Sequence, residues 1–332
     1  MNPANDIEIL LREDGQLAPG PARLTPLGGG VSCEIFKVEQ GAKTFVVKRA
    51  LAQLRVAAEW RVDVSRNAVE YGFYETMAGP LAGTVPRAFF HNPARGYFTM
   101  ECLEGGWRNW KDLLLQGTVE PAHGKLAGAL LGKLHASTWD DAALEEKFDT
   151  TANFRQLRTD PYLRTTAEKC SEVAPQLLAE ADRVESCRVC LVHGDFSTKN
   201  LLLQEDRMVL LDAEVAWYGE PAFDVAFLLT HLLLKGLHHG PRPVAWEETA
   251  RAAWTTYFDA LGHRKTAGLE SRCANLLAAI LLARIDGKSP VEYLTPQQQQ
   301  TTRTFAVEAL RRPAPDLETM VTGWRNHLSK IT

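Results

Sequence analysis

His193-Gly194-Asp195-Phe196-Ser197-Thr198-Lys199-Asn200 and, further on, Asp212-Ala213-Glu214 constrain this chain more than any other stretch. The first segment lies between two apolar runs, Val189 to Val192 and Leu201 to Leu203. A third run, Met208 to Leu211, ends on Asp212. Short apolar runs bounded by polar turns read as strands. A His-x-Asp-x-x-x-x-Asn loop on a strand–loop–strand frame, with a second carboxylate after the next strand, is the minimum polar set for moving a γ-phosphoryl group. One Asp accepts a hydroxyl proton, and an Asn and another Asp hold magnesium.

Each polar residue takes a candidate role on that basis. Asp195 is the candidate catalytic base, since an acceptor hydroxyl must be oriented and lose its proton as it reacts. Asn200 and Asp212 are candidate magnesium ligands, because Mg²⁺ prefers hard oxygen donors and fills its shell with phosphates and water. His193, two residues before the base, belongs to the catalytic set as a brace for the loop backbone. Glu214 is a candidate metal or substrate contact. Lys199 reads either as a point charge on the γ-phosphate or as a solvated lysine.

Upstream, Thr44 to Lys48 is a β-type run ending on a lysine. A lysine on the strand after a glycine loop can bridge α- and β-phosphates, and it needs an acid to hold it. Glu70 is the preferred partner and Glu75 the rival, because Tyr71, Phe73 and Tyr74 pin that part of the helix to a core. Gly28-Gly29-Gly30-Val31-Ser32 is the candidate phosphate cover, with Gly29, Gly30 and Ser32 as nucleotide contacts. The G-x-G-x-x-G pattern would need glycine where Cys33 stands. G-x-x-x-x-G-K-[ST] is absent from the chain, which argues against a P-loop nucleotidase. Glu101 and Leu103 are placed against the adenine edge through their backbone groups.

The elements order themselves around these residues. Strands are expected at Leu24 to Leu27, Glu34 to Val38, Thr44 to Lys48, Ala88 to His91 and Tyr97 to Glu101, with one helix near Asp63 to Met77. Beyond Glu104-Gly105-Gly106 the text turns helical, at Lys125 to Ala136, Ser171 to Val184, Ala222 to Leu234, Trp246 to Leu261, Leu269 to Ile285, Thr301 to Arg311 and Asp316 to Leu328. The three runs framing the loop are the only strands expected there. Residues 1–101 read as a nucleotide-binding lobe, 102–108 as a hinge, and 109–332 as a helical lobe with the catalytic loop and acceptor site. The fold class is α+β, with a small antiparallel sheet lobe and a larger helical one.

Composition removes other classes. A net charge of −4 leaves no basic footprint for nucleic acid. The longest apolar run, Val225 to Leu234, is interrupted by Thr230 and His231 and closed by Lys235, so no membrane span is expected. MNPANDIEILLRED does not read as a signal peptide. Cys187 and Cys190 form a C-x-x-C with no second pair, and read as strand thiols rather than a metal site. A cytoplasmic enzyme is the expectation. The oligomeric state is not fixed, and a homodimer is among the allowed assemblies.

The residues quoted resemble those of the aminoglycoside phosphotransferase and choline kinase superfamily, which shares the protein-kinase fold. The likeness runs over roughly residues 20 to 240. His-Gly-Asp at 193–195 and Asp-Ala-Glu at 212–214, where protein kinases carry His-Arg-Asp and Asp-Phe-Gly, point to small-molecule kinases. Asp212-Ala213-Glu214 with Tyr218-Gly219 and Phe223-Asp224 is similar to methylthioribose kinases, while the text Phe196 to Asn200 departs from theirs. The resemblance implies ATP (sometimes GTP), Mg²⁺, and transfer to a hydroxyl of an aminoglycoside, amino alcohol, sugar or related metabolite. It also makes Arg284, on a helix that ends near Pro290, a candidate acceptor contact. The weighed alternatives are a nucleotide-binding pseudokinase scaffold and, behind it, a protein kinase.

Overall fold

The computed structural model describes residues 3–28, 33–51, 65–240 and 244–330. The chain divides into two compact units, Met1–Gly106 and Trp107–Thr332.

The first unit holds helix α1 (Pro3–Glu13), strands β1 (Arg23–Pro26), β2 (Cys33–Gln40) and β3 (Lys43–Ala50), helix α2 (Arg66–Met77), and strands β4 (Ala88–Asn92) and β5 (Tyr97–Met100). The strands form one antiparallel sheet in the order β1-β2-β3-β5-β4. β2 and β3 meet in a hairpin with Gln40 opposite Lys43. Gly41 turns it at φ +59°, a left-handed conformation in which a side chain would be strained. Strand alternation sends Phe45 and Val47 to one face and Lys48 to the other. Phe45 and Val47 join Phe36, Val38 and Tyr97 in a core closed by Ile7 and Leu11. That second helix, α1, was not expected from the sequence. Ile7 and Leu11 stand four residues apart, so one short apolar stripe suffices to dock it.

The second unit opens with β6 (Arg108–Asn109), α3 (Trp110–Leu115), α4 (Pro121–Ser137), α5 (Ala142–Lys147) and α6 (Thr151–Phe154). A π-helical stretch, Arg155–Arg164, leads into α7 (Thr165–Lys169) and α8 (Ala174–Ser186). Pro161 lies inside that stretch and lacks the N–H an α-helix would need there. Then come β7 (Cys190–Val192), β8 (Leu201–Gln204), β9 (Arg207–Leu210) and β10 (Trp217–Gly219). Helices α9 (Ala222–His238), α10 (Val244–Leu261), α11 (Leu269–Asp286), α12 (Pro296–Arg311) and α13 (Leu317–Leu328) complete it. β6-β8-β9 form one small antiparallel sheet and β10-β7 another. The strands β6 and β10 correct the expectation of three strands in this region; at two and three residues they carry no readable period.

Helix α9 is buried on every side from Ala222 to Leu237 and forms the spine of this unit. Helices α4 and α10 cross at very short range because α4 presents Gly124, Gly128 and Gly132 on one stripe. A Cβ on Gly124 would stand 2.2 Å from the Thr249 carbonyl oxygen, and one on Gly128 2.1 Å from that of Ala253. This contact fixes His135 of α4 against Tyr257 of α10, at 3.0 Å from His135 Nδ1 to the hydroxyl. His135 Nε2 lies 3.4 Å from Asp224 of α9.

Candidate active site

Asp224 passes that rigidity to the loop between β7 and β8. Its two carboxylate oxygens accept the backbone N–H groups of His193 and Gly194, at 2.7 and 2.9 Å. Gly194 is left-handed at φ +74°, and a Cβ there would meet the Val215 carbonyl oxygen at 2.6 Å, so glycine is the residue this turn accepts. His193 is fully buried between two backbone groups. Its Nδ1 accepts the Asp195 N–H at 3.2 Å and its Nε2 donates to the Leu211 carbonyl at 3.1 Å. Those two bonds require the neutral Nε2–H tautomer, and burial pushes the imidazole pKa below its ordinary value. His193 is thus bonded as a brace of the loop backbone, with its one ring proton committed to the Leu211 carbonyl.

The β8–β9 hairpin aligns the candidate metal ligands. Leu201 pairs with Leu210, and the Leu211 N–H donates to the Asn200 carbonyl at 2.9 Å. Asn200 and Asp212 consequently leave the same open end of the hairpin, and His193 ties Leu211 to the Asp195 loop. Asn200 Nδ2 donates to the Asp195 carbonyl at 2.9 Å, which turns the amide oxygen the other way. Asp212 sits at φ +69°, a conformation uncommon for a residue with a side chain and frequent at functional sites. One amide oxygen and one carboxylate form a hard donor pair of the kind Mg²⁺ accepts when phosphates complete its shell.

Asp195 is 5% exposed and meets two cations. Its Oδ2 lies 3.0 Å from Arg158 and 2.9 Å from Lys199. Burial raises its pKa, but Lys199 and Arg158 outweigh that and hold the carboxyl below the ordinary value. Asp195 is thus ionised and acceptor-only, suited to receiving a hydroxyl hydrogen bond. Lys199 is half-exposed, and its charge rests on Asp195. Burial pulls the Lys199 pKa down, and the Asp195 and Asp212 carboxylates outweigh that and leave it above its ordinary value.

Arg158 is the site residue the sequence did not disclose. It lies in the π-helical stretch, donates through Nε to the Gly194 carbonyl at 2.5 Å, and packs its guanidinium over Tyr162 and Phe227. Burial pulls its pKa down, and the neighbouring Asp195 carboxylate more than restores it. No motif marks an arginine reaching the loop from 36 residues upstream. The interruption at Pro161 was the one available signal.

The remaining candidates fall as follows. Lys48 and Glu70 form a buried ion pair at 2.6 Å, with the Tyr74 hydroxyl donating to Glu70 at 3.0 Å, while Glu75 is exposed. Glu101 is half-buried, with its N–H on the Arg87 carbonyl and its carboxylate accepting from Arg87; Leu103 is half-buried. Gly29, Gly30 and Ser32 lie outside the described residues. Glu214 is buried, and its carbonyl accepts from Asn153 at 2.9 Å. Arg284, in the last turn of α11, is buried rather than a surface charge, and bonds the Tyr162 hydroxyl and Ser289 Oγ at 3.1 Å each. All six cysteines are free thiols, and burial pushes Cys187 up to about 12. Among the described residues no helix is long and apolar enough to cross a membrane.

Comparison with known proteins matches residues 23–269 to the phosphotransferase enzyme family. A methylthioribose kinase of Escherichia coli is 27% identical over 248 residues, which cover 65% of this chain and 58% of that relative. The chain thus spans under two thirds of that relative's length. Among solved structures, the amicoumacin kinase complex with AMP-PNP and Ca²⁺ aligns at TM-score 0.58 and 12% identity, over 93% of this chain and 94% of that one. The streptomycin–ATP–APH(2″)-IIa ternary complex aligns at TM-score 0.51 and 16% identity, over 95% and 98%. The fold is α+β of the protein-kinase-like class.

Proposed function

Because the chain belongs to the phosphotransferase enzyme family, we propose that it is an ATP-dependent small-molecule kinase acting on a hydroxyl acceptor. The observation that carries this reading is the placing of Asp195, Asn200 and Asp212 on one loop-and-hairpin frame, with Asp195 ionised and the Asn200 amide oxygen turned outward. Asp195 accepts the hydrogen bond of the acceptor hydroxyl and takes its proton as the oxygen bonds to the γ-phosphorus and the bond to the β-phosphate oxygen breaks. Held ionised by Arg158 and Lys199, it contributes more by orienting the hydroxyl than by basicity.

Asn200 and Asp212 hold Mg²⁺, with Glu214 as a further metal or substrate contact. The ion, when bound, neutralises charge on the β- and γ-phosphates. Lys48, fixed by Glu70, is assigned to the α- and β-phosphates, and the backbone at Glu101 and Leu103 to the adenine. The functional segments are residues 1–101 for nucleotide, 102–108 as hinge and 109–332 for catalysis and acceptor. ATP is the donor assigned, with GTP as the competing nucleotide to test. Methylthioribose is the acceptor named for the Escherichia coli relative and heads the panel to be tested.

The test is transfer of labelled γ-phosphate from Mg-ATP or Mg-GTP to methylthioribose, sugars, amino alcohols and aminoglycosides, with a no-acceptor control. Transfer to at least one small hydroxyl compound, lost in Asp195→Asn, is expected. Nucleotide binding with no transfer to any acceptor would favour a binding module instead.

A further inference from the structure

Helix α9 carries a polar stripe that continues past the loop brace. Asp224, Phe227, His231 and Lys235 follow one another at helical spacings of three, four and four residues, hence on one face. Phe227 packs under Arg158, which pairs with Asp195. The eight steps from Phe227 to Lys235 cover about 12 Å at 1.5 Å per residue.

At the far end of that stripe the charge is uncompensated. Lys235 is 1% exposed. Its Nζ lies 3.4 Å from His231 Nδ1 and 5.3 Å from the centre of the Tyr293 ring, and it forms no ion pair among the described residues. Arg284, 9% exposed, is anchored through one terminal nitrogen on Tyr162 and Ser289, while its buried Nε has no hydrogen-bond partner among the described residues. Arg284 also stacks over Tyr162, the ring that Arg158 covers as well. Glu292, at the exposed rim, acts on Lys235 through space and pairs instead with Lys111 at 3.2 Å. A buried lysine amine without a counter-ion keeps its proton only at a cost of several kcal/mol, and an anion placed beside it removes that cost.

We propose that Lys235, Arg284 and His231 form an oxyanion subsite for the acceptor, so that the small molecule phosphorylated at Asp195 carries a carboxylate or phosphate group. This rests on the kinase reading of Asp195 and narrows its acceptor class: cationic acceptors meet like charge at this end of the stripe, and anionic ones supply the missing counter-ion.

The experiment compares glucose, glucuronate, glucose 6-phosphate and glucosamine as acceptors with Mg-ATP, in wild type and Lys235→Met. In wild type the anionic members are expected to exceed glucose in kcat/KM by at least about tenfold, with glucosamine lowest. Glucuronate against glucose 6-phosphate separates carboxylate from phosphate. Lys235→Met should raise KM for the anionic members to the level of glucose and leave kcat unchanged. Neutral or cationic sugars used as well as their anionic counterparts, or unaltered discrimination in Lys235→Met, would overturn the proposal. A second reading needs no turnover: calorimetry with inorganic phosphate should show binding to wild type weakened at least about tenfold by Lys235→Met. Phosphate binding so weakened, with no transfer to any acceptor, would defeat the kinase reading while retaining the oxyanion site. Transfer with no such phosphate binding would do the reverse.

Discussion

Asp195 and Lys235 are both buried charges of the larger unit, and their surroundings differ in kind. Asp195 meets two cations within 3.0 Å, and its loop is bonded at His193, Gly194 and Asn200. Lys235 meets a histidine and an aromatic ring, and no carboxylate among the described residues. The first environment is complete as it stands: the charge is compensated, and the groups around it hold one geometry. The second keeps its charge at a cost, which is removed when an anion arrives or the proton leaves. Compensated burial marks machinery that must keep its shape, whereas uncompensated burial marks a place where a ligand supplies the missing term.

The largest effect expected from breaking this contrast is on the compensated side. Asp195→Asn keeps the shape and removes the charge, so kcat should fall by about 10² to 10⁴, roughly 3–5 kcal/mol of barrier, with nucleotide affinity nearly intact. Steady-state kinetics beside nucleotide titration checks this, and unchanged kcat would remove Asp195 from its role. In the smaller unit, Glu70→Gln takes the paired charge away from Lys48 and makes that pair resemble Lys235. A loss of about 3–5 kcal/mol in urea unfolding is expected, as for other buried pairs stripped of one member.

Gly128→Ala tests whether the loop's geometry is inherited from helix packing. The added Cβ would press on the Ala253 carbonyl, 2.1 Å away, and forcing α4 from α10 should cost about 1–3 kcal/mol. Because His135 sits between Tyr257 and Asp224, turnover should fall along with the melting temperature. A drop in stability alone would detach the brace from the site.

The last effect is a slope with pH rather than a single loss, and it belongs to Lys235. Burial, with Lys111 and Arg284 nearby, pushes its pKa down to about 7, while Glu292 opposes them. His231 and Tyr293 are the other titratable groups that face it. Above pH 7 the unfolded chain keeps a proton on Lys235 that the folded one has released. Stability from this residue therefore climbs as pH rises from about 7 toward the ordinary lysine value, by at most about 1.4 kcal/mol per pH unit. Below pH 7 both states are protonated and the burial penalty is present in full. The difference between wild-type and Lys235→Met unfolding free energies should follow that slope; parallel curves would show that Lys235 does not titrate there.

The compensated region was the more legible of the two, for a physical reason. His193, Asp195, Asn200 and Asp212 lie close in sequence, on a hairpin whose strands the apolar runs declare, so order along the chain approximates order in space. Arg158 reaches the same loop from a π-helical stretch, and no local pattern announces it. Short strands such as β6 and β10, and the docking helix α1, owe their existence to tertiary contacts that local propensity does not encode. His231 and Lys235 were visible only as interruptions that spoiled an apolar run. The structure buries that run on all sides, and its polar residues with it. Arg284 entered through family resemblance, and its burial beside Lys235 could not be read from its position.

Magnesium-dependent nucleotide binding tests the central claim most directly. Calorimetry of ATP with and without Mg²⁺ should show affinity that depends on the ion in wild type, and Asp212→Ala should erase that dependence while leaving the fold intact. A binding curve with Mg-ATP identical in wild type and Asp212→Ala would contradict the account.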